Sequence, residues 1–395
     1  MAFFLYICNV MTENRHYKIV YCTPALYMAG GVERVLTLKA NYFAENFGYD
    51  ITIILTEGKN KPFFYPLSDK INVINLDINF EELWTCSFLN KIFIYLKKQR
   101  CYKKKLTSEL MRLRPDITIS LLRREINFLA SIKDGSKKIG ELHVNRSNYR
   151  NFEKNESNYI KNLFSRFWMS NLVVNLKKLD KFIVLTEEDK TQWKELSNVV
   201  VIPDPLPFQT DVVSPLTSKR VIAVGRYVYQ KGFDLLLQAW AIVEKQIQDW
   251  ELAIYGQGER GPYEHLIDEL NIDRNRCHLF GSTNDIKQEY LKSSIFAFSS
   301  RFEGFGMVIV EAMSCGLPIV SFDCPCGPKE IVSPNVDGLI IDNLHVDKLA
   351  SGLVKIMRDE SMRVHFARNA KTNSEKFKME VIAMKWKKLF GNIYE

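Results

Sequence analysis

The chain has 395 residues, of which 46% are hydrophobic and 25% are charged, so a disordered, collagen-like or disulfide-scaffold protein is excluded. That length suits two domains of roughly 150–200 residues, and no apolar run approaches the roughly 20 residues that a membrane-spanning helix needs. The net charge is +8, but a basic block over residues 91–181 carries 22 Lys and Arg against 8 Asp and Glu, which favours contact with an anionic partner.

Residues 1–16 are interpreted as an N-terminal extension. Their apolar start lacks a basic lead and a small-residue cleavage site, so no export is expected and the protein is predicted to be cytoplasmic. The eight cysteines are scattered, and only Cys324 and Cys326 form a close pair. Reduced thiols are therefore expected, and no metal site is predicted.

A first series of alternating strands and helices is predicted before residue 205. A strand over 17–23 is followed by Gly30-Gly31, by helical apolar spacing over 32–45 and by a short apolar run at 51–55. This order predicts a βαβ unit and hence a parallel sheet. Further strands are predicted at 71–76, 116–121, 138–141 and 181–185, and a further helix at 159–178.

A linker follows, because the three prolines within 203–207 exclude a helix and a central strand. A second alternating series then begins, so the sequence predicts an α/β protein with two doubly wound parallel sheets. Its predicted strands are 220–225, 250–256, 277–280, 295–299, 317–322 and 338–341, and its predicted helices are 233–244, 263–270, 286–291 and 307–315, with further helices to the end.

One candidate site is the loop Arg301-Phe-Glu303-Gly304-Phe305-Gly306-Met307, which joins a predicted strand to the helix that contains Glu311. Glycines let the backbone approach a ligand closely, and a helix N-terminus offers unpaired N–H groups. This arrangement suits a diphosphate, with Glu303 able to meet a sugar and Glu311 able to reach ribose hydroxyls. A tight turn followed by a surface glutamate is the alternative interpretation.

A second candidate is Val224-Gly225-Arg226-Tyr-Val-Tyr-Gln-Lys231-Gly232, which follows the first strand of the second series. It would therefore open at the carboxyl end of the sheet, where ligands bind in open α/β folds. Arg226 and Lys231 could clamp two phosphates and offset the charge of a leaving diphosphate. Taken alone, the two cations could equally be solvated surface residues.

Together these motifs resemble glycosyltransferase family 4, in which Gly225-Arg226…Lys231-Gly232 and the spacing Glu303-x7-Glu311 are characteristic. Asp204 stands where the family usually has Asn, which puts the hydrogen bonding of the proline-rich linker between the two domains in doubt. The stretch 322–330 is similar to members that extend lipid-linked oligosaccharides or lipopolysaccharide cores. Four other segments agree with the family: Gly30-Gly31-Val-Glu33-Arg34, Gly140-Glu-Leu-His143, Val201-Ile-Pro-Asp204-Pro205 and Gly256-x-Gly258.

The resemblance implies the GT-B architecture, in which two Rossmann-like domains face each other across a cleft. Residues 17–205 would form the acceptor-side domain and 206–376 the domain that binds a nucleotide sugar, with a final helix in 377–395 packed back onto the first domain. The implied activity is retaining transfer of a hexose or N-acetylhexosamine from a UDP-sugar to a lipid-linked glycan of capsule, lipopolysaccharide or another surface polysaccharide. Neither a metal nor another cofactor is expected.

Roles for single residues follow from the same resemblance. Arg226 and Lys231 would bind the donor diphosphate, Glu303 would contact the transferred sugar, and His143 would lie beside its reacting face. From the residues alone, His143 could instead be a core histidine. The donor-binding set implied by the family is Gly31, Gly225, Arg226, Lys231, Gly256, Gly258, Gly304, Phe305, Gly306, Met307 and Glu311.

The basic block contains a pattern typical of a membrane-facing surface, since basic side chains attract anionic headgroups and aromatic ones favour the interface. We therefore expect peripheral docking at the inner face of the cytoplasmic membrane, with a solvated helical face as the alternative. The residues concerned are Lys97, Lys98, Arg100, Lys103, Lys104 and Lys105, with Phe93, Tyr95 and Tyr102.

Other function classes remain open at this point. A GT-B epimerase or phosphorylase would share the fold, although no pyridoxal-binding lysine motif is recognisable. The basic block suggests a nucleic-acid-binding protein as another alternative. However, the sequence shows no helix-turn-helix, zinc-finger or aromatic RNA-binding signature, so no nucleic acid is expected as a partner. A Rossmann oxidoreductase lacks the Gly-x-Gly-x-x-Gly that should follow the first strand.

Overall fold

The computed structural model describes residues 15–85, 88–149 and 159–394. The chain divides into two compact units. Unit 1 comprises Met1–Leu185, Asp189–Pro205 and Met379–Glu395, and unit 2 comprises Thr186–Glu188 and Leu206–Lys378. Most of the expected N-terminal extension, together with Cys8 and Cys86, lies outside the described residues.

Unit 1 contains a sheet of seven parallel strands. In chain order they are β1 (Lys18–Thr23), β2 (Asp50–Leu55), β3 (Asn72–Asn75), β4 (Ile117–Ser120), β5 (Lys137–Glu141), β6 (Lys181–Val184) and β7 (Val199–Val201). Their spatial order is β3-β2-β1-β4-β5-β6-β7. The winding direction therefore reverses between β1 and β4, where open α/β sheets place ligands.

The helices before residue 205 are α1 (Gly31–Asn46), α2 (Phe88–Leu113), α3 (Tyr159–Leu176) and α4 (Glu187–Gln192). Because side chains alternate along a strand, β1 buries Ile19 and Tyr21 on one face of the sheet and Val20 and Cys22 on the other. The first face packs against α1 and the C-terminal helix α12 (Met379–Asn392), which contributes Trp386. The second face packs against α2.

Helix α2 occupies the basic block and was not among the predicted elements. Phe93 is 72% exposed, whereas Tyr102 is buried and donates a hydrogen bond to Glu125. The prediction that Tyr102 belongs to a surface patch is therefore wrong, because the helix turns that side chain into the core. Lys98 and Lys105 each donate to a backbone carbonyl, those of Ile78 and Leu76.

Unit 2 contains a second parallel sheet, of six strands. They are β8 (Arg220–Val224), β9 (Glu251–Tyr255), β10 (Cys277–Phe280), β11 (Ile295–Phe298), β12 (Ile319–Phe322) and β13 (Gly338–Ile341). The spatial order β10-β9-β8-β11-β12-β13 repeats that of unit 1, with its reversal between β8 and β11. Two doubly wound parallel sheets were predicted, and this prediction is confirmed.

Helices of unit 2 pack against its sheet through apolar side chains. The first of these helices has apolar side chains at helical spacing, namely Phe233, Leu236 and Trp240. They face the buried strand residues and pack beside Leu353 of a later helix. The helices are α5 (Phe233–Val243), α6 (Gly261–Glu269), α7 (Ile286–Leu291), α8 (Met307–Ser314), α9 (Pro328–Ile331), α10 (Val346–Arg358) and α11 (Glu360–Ser374). Among the residues that the structure describes, no helix has the length and apolar composition of a membrane span.

Candidate active site

The loop after β8 carries Lys231 to the end of β11. A Cβ at Gly225 would lie 3.1 Å from the side chain of Lys231, so the glycine leaves room for the stem of the lysine. Gly232 has a φ of +61°, and a Cβ there would lie 2.1 Å from the backbone oxygen of Ser299. The two glycines therefore position the lysine at the point where the winding of the sheet reverses.

Lys231 and Glu303, two of the predicted catalytic residues, form an ion pair at this point. The ammonium of Lys231 donates to Oε1 of Glu303 across 2.6 Å, and the two side chains are 14% and 8% exposed. Gln230 donates to Oε2 of the same carboxylate at 3.4 Å and to the carbonyl of Phe302 at 3.1 Å. The structure thus brings together a cation and a carboxylate that are 72 residues apart.

A second ion pair holds this loop in place. The guanidinium of Arg301 donates to both carboxylate oxygens of Asp234, at 2.8 and 2.5 Å, and to the carbonyl of Tyr229 at 2.8 Å. Such bidentate pairs fix geometry as well as charge. The sequence motif contains Arg301 but indicates no role for it, since no local pattern reveals a partner that lies on the distant helix α5.

The glycine turn after β9 locks against the loop after β8. A Cβ at Gly256 would lie 1.7 Å from the carbonyl oxygen of Gly225, and Gly258, with φ +127°, forms a bridge with Tyr227. Arg226 is exposed at this junction. Within residues 15–85, 88–149 and 159–394, its guanidinium has no ion-pair partner, so its charge is open to an anion.

The loop at 304–307 ends at the N-terminus of α8. Gly306 has φ +108° and directly precedes Met307, the first residue of the helix. The ring of Phe305 is buried against Phe377, with 5.5 Å between centroids, so its backbone and not its side chain could meet a ligand. Together with Gly304, these residues place the first helix N–H groups four residues beyond Glu303, which suits an anion.

Glu311 lies in the second turn of α8 and is buried. The hydroxyl of Tyr290 donates to its Oε2 at 3.0 Å, which orients the carboxylate. Tyr290 was not singled out from the sequence, because its partner lies 21 residues away on a different helix. The expectation that Glu311 binds ribose hydroxyls stays a prediction.

In unit 1, His143 lies two residues after β5 between two carboxylates. Its Nε2 is 3.2 Å from Oε1 of Glu141, and its Nδ1 is 3.3 Å from Oδ1 of Asp204. Neither contact has hydrogen-bond geometry, so the attraction is chiefly between charges. The ammonium of Lys39, on α1, donates to Glu141 and also lies 4.4 Å from the ring centroid of Trp386.

These contacts shift the pKa values of His143 and Glu141. Burial alone would lower the pKa of His143, but the negative charges of Asp204 and Glu141 outweigh it and raise this pKa to about 9. Burial alone would raise the pKa of Glu141, but Lys39 and His143 lower it to about 2. The ligand-type atoms of Glu141, His143 and Asp204 lie within 4.8 Å of one another, yet Lys39 already supplies a cation here. We therefore describe Lys39, Glu141, His143 and Asp204 as an ion network.

His143 also lines a cavity of about 110 Å³ together with Val32, Arg123 and Tyr149. Gly31, the residue before Val32, begins α1, and a Cβ on it would meet no atom within 4 Å. The predicted residues His143 and Gly31 therefore belong to one region of unit 1. The other predicted site residues belong to unit 2.

Comparisons with known proteins agree with this geometry. Residues 208–373 match the family described as glycosyl transferases group 1. An uncharacterized glycosyltransferase of Haemophilus influenzae is 29% identical over 94% of this chain and 99% of that protein. A Campylobacter jejuni alpha-1,4-N-acetyl-D-galactosaminyltransferase, named for a GalNAc-containing glycan on PP-undecaprenol, is 24% identical over 92% of this chain and 96% of that one. Among solved structures, Anabaena HepE in complex with UDP-glucose has a TM-score of 0.70 at 18% identity, covering 95% and 100% of the two chains.

Proposed function

We propose that this chain, a glycosyltransferase of the GT-B fold with a group 1 glycosyl transferase domain at residues 208–373, moves a hexose or N-acetylhexosamine from a UDP-sugar to a lipid-linked glycan. Unit 2 binds the donor and unit 1 the acceptor. The UDP-glucose complex of the similar Anabaena protein supports the donor class. The PP-undecaprenol glycan in the name of the Campylobacter relative supports the acceptor class.

The observation that carries the proposal is the cluster at the ends of β8 and β11. It combines the ion pair of Lys231 and Glu303, the exposed guanidinium of Arg226 and the N-terminus of α8. A donor diphosphate takes its counter-charges from Arg226, Lys231 and the helix N–H groups. Glu303, which pairs with Lys231 here, then faces the hydroxyls of the sugar.

In the proposed reaction, the retaining course is the one that the resemblance to glycosyltransferase family 4 implies. The bond between the anomeric carbon and the β-phosphate oxygen breaks, and its electron pair leaves on that oxygen, where Lys231 and Arg226 stabilise the developing charge. The acceptor hydroxyl oxygen bonds to the anomeric carbon on the same face, which retains configuration. The hydroxyl proton passes to the departing phosphate oxygen. No covalent sugar–enzyme intermediate and no metal ion are included in this proposal.

A screen of nucleotide sugars for saturable binding, followed by turnover with lipid-linked acceptors, tests the proposal. We expect a UDP-sugar to bind and UDP to be released only when an acceptor is present. Glu303→Gln should abolish turnover while the variant stays folded. Equal product formation without an acceptor would instead support an epimerase, and no binding of any nucleotide sugar would overturn the proposal.

The acceptor class makes a membrane contact part of the same proposal, and helix α2 supplies a suitable surface. One face of this helix exposes apolar side chains beside basic ones, a combination that favours anionic lipid interfaces. The exposed residues are Ile92, Phe93, Leu96, Lys97, Arg100, Lys103 and Lys104.

Co-sedimentation with vesicles tests this contact. We expect binding to phosphatidylglycerol vesicles at low salt, weak binding to phosphatidylcholine vesicles, and loss of binding when Lys97 and Lys103 are both changed to Glu. Changing the exposed Lys245 and Lys355 of unit 2 to Glu is the control with the same charge change. Equal binding to neutral and anionic vesicles would remove the membrane contact from the proposal.

A further inference from the structure

Four charged groups from different parts of unit 1 meet around His143. Lys39 comes from α1, Glu141 ends β5, and Asp204 follows β7 within the proline-rich segment. The exposed fractions are 1% for Lys39, 2% for Glu141, 5% for His143 and 7% for Asp204. Because water is largely excluded, the charges within this group must balance one another.

The balance depends on the proton of His143. Lys39 carries one positive charge, and Glu141 and Asp204 carry one negative charge each. With a neutral imidazole, one buried carboxylate would have no compensating cation within this group, which is costly. With an imidazolium, two cations face two anions and the group is neutral.

The remaining groups around the network do not change this count. Tyr21, on β1, is a neutral phenol whose pKa is raised well above its usual value by burial and by the charge of Glu141. Tyr149 is likewise an uncharged phenol that lines the cavity. Arg123 also lines the cavity, but the pKa shifts of Glu141 and His143 are caused by burial and by the charges of Lys39, Glu141, His143 and Asp204.

We propose that Asp204, which faces Nδ1 of His143, keeps the imidazole positively charged, so that His143 contributes a fixed charge to the cavity and does not accept a proton. The inference deepens the proposed function and rests on it for the role of the cavity in sugar transfer. Both ring nitrogens face carboxylates, so neither is directed at the hydroxyl of an acceptor.

Asp204 is therefore a positioning residue that sets the charge state of His143. An Asn at position 204, the residue usual in the family that this sequence resembles, would remove one negative charge. Lys39 and Glu141 would then balance each other, and the imidazole could be neutral at no electrostatic cost. Aspartate at 204 and the charge on His143 are therefore linked by the same charge count.

Titration of the full-length chain labelled in its histidine rings tests the inference by NMR. The signal of His143 is identified among the six histidines by its loss in His143→Gln. We expect it to remain that of an imidazolium at pH 8 in the wild type, and its midpoint to fall by at least about one pH unit in Asp204→Asn. Asp189→Asn removes another buried carboxylate of unit 1, one that contacts Arg146 and Trp193 and not His143, and should leave the midpoint unchanged.

A wild-type midpoint near the usual 6.5, or an unchanged midpoint in a folded Asp204→Asn, would overturn the inference. If Asp204→Asn fails to fold, the wild-type midpoint decides alone. Turnover supplies a second readout: the ratio of kcat at pH 6 to kcat at pH 8 should rise about twofold or more in Asp204→Asn and stay at the wild-type value in Asp189→Asn. An unchanged ratio would exclude a role of the charge in transfer.

The two readouts separate this inference from the proposed function. A protonated His143 in a chain that turns over no nucleotide sugar would leave the charge state supported and the proposed function rejected. A transferase with a neutral His143 at pH 8 would leave the function supported and this inference rejected.

Discussion

Unit 1 and unit 2 share a strand order, and both place charged side chains where their parallel strands end, but they treat these charges differently. In unit 1 the charges of Lys39, Glu141 and Asp204 are buried and balanced around His143. In unit 2, Lys231 is partly exposed and pairs with the buried Glu303, and Arg226 is exposed. A balanced buried network can hold one protonation state, whereas a partly exposed cation can exchange its partner for a ligand.

The glycines of the two units also differ, in what a Cβ at their position would contact. Gly256 of unit 2 touches the backbone of a neighbouring loop, so its missing side chain is required by the protein itself. A Cβ on Gly31 of unit 1 would meet open space. The first glycine builds the loop that bears the site, and the second can only matter to something that approaches from outside.

The largest effect is expected on turnover, when the ion pair of Lys231 and Glu303 in unit 2 is broken. Lys231→Ala should lower kcat by about 100-fold or more, because it removes a cation that stabilises the leaving diphosphate. Steady-state kinetics with saturating UDP-sugar measures this. Lys219→Ala is the control, since Lys219 pairs with Asp249 on the exposed side preceding β8. Equal rates in the two variants would show that Lys231 does not act on the donor.

The next effect is on folding. Gly256→Ala should lower the free energy of unfolding by more than about 2 kcal/mol, because its Cβ would lie 1.7 Å from the oxygen of Gly225 and the loops must separate. Urea unfolding measures it. Gly261→Ala, at the start of α6, is the matched control, since a Cβ there meets no atom within 4 Å. Wild-type stability of Gly256→Ala would contradict the close contact between the two loops.

A pH-dependent effect on stability comes from the buried network of unit 1. The pKa of His143 is raised to about 9, so its contribution is complete below about pH 6.5 and is lost as the pH rises to 9. The pKa of Glu141 is lowered to about 2, so its contribution is complete above about pH 4.5 and is lost as the pH falls to 2.

Urea unfolding at a series of pH values measures both losses. In His143→Gln, the free energy of unfolding should fall less as the pH rises to 9. It should still fall at acid pH, because Lys39 still pairs with Glu141 in that variant. An alkaline loss of wild-type size in His143→Gln would assign it to another group.

The smallest effect on stability is expected at Gly31. Gly31→Ala should change the free energy of unfolding by less than about 0.5 kcal/mol, because no atom is displaced. If a substrate approaches the backbone here, the KM for donor or acceptor rises while the melting temperature stays constant. Wild-type kinetic constants would show that no substrate comes close to Gly31.

Much of the molecule could be predicted from the local pattern of its residues. Apolar runs of four to six residues between helical segments identified strands such as β1 and β8, because a buried parallel strand is apolar on both faces. The loop glycines and the cations between them indicated the region of unit 2 that we propose binds an anion. The long helix α2 and the three-residue strand β7 were missed: the charged composition of α2 hid its buried face, and β7 is shorter than a recognisable pattern.

The sequence by itself therefore determined the two α/β series, the break between them at the prolines and the residue types that an anion site needs, since all of these depend on neighbours along the chain. Only the tertiary structure decided which charges meet. Lys39 and Glu141 are 102 residues apart, and Asp204 reaches His143 from a third segment. Such pairings depend on strand order and burial, which arise from contacts between distant segments, so no local spacing reveals them.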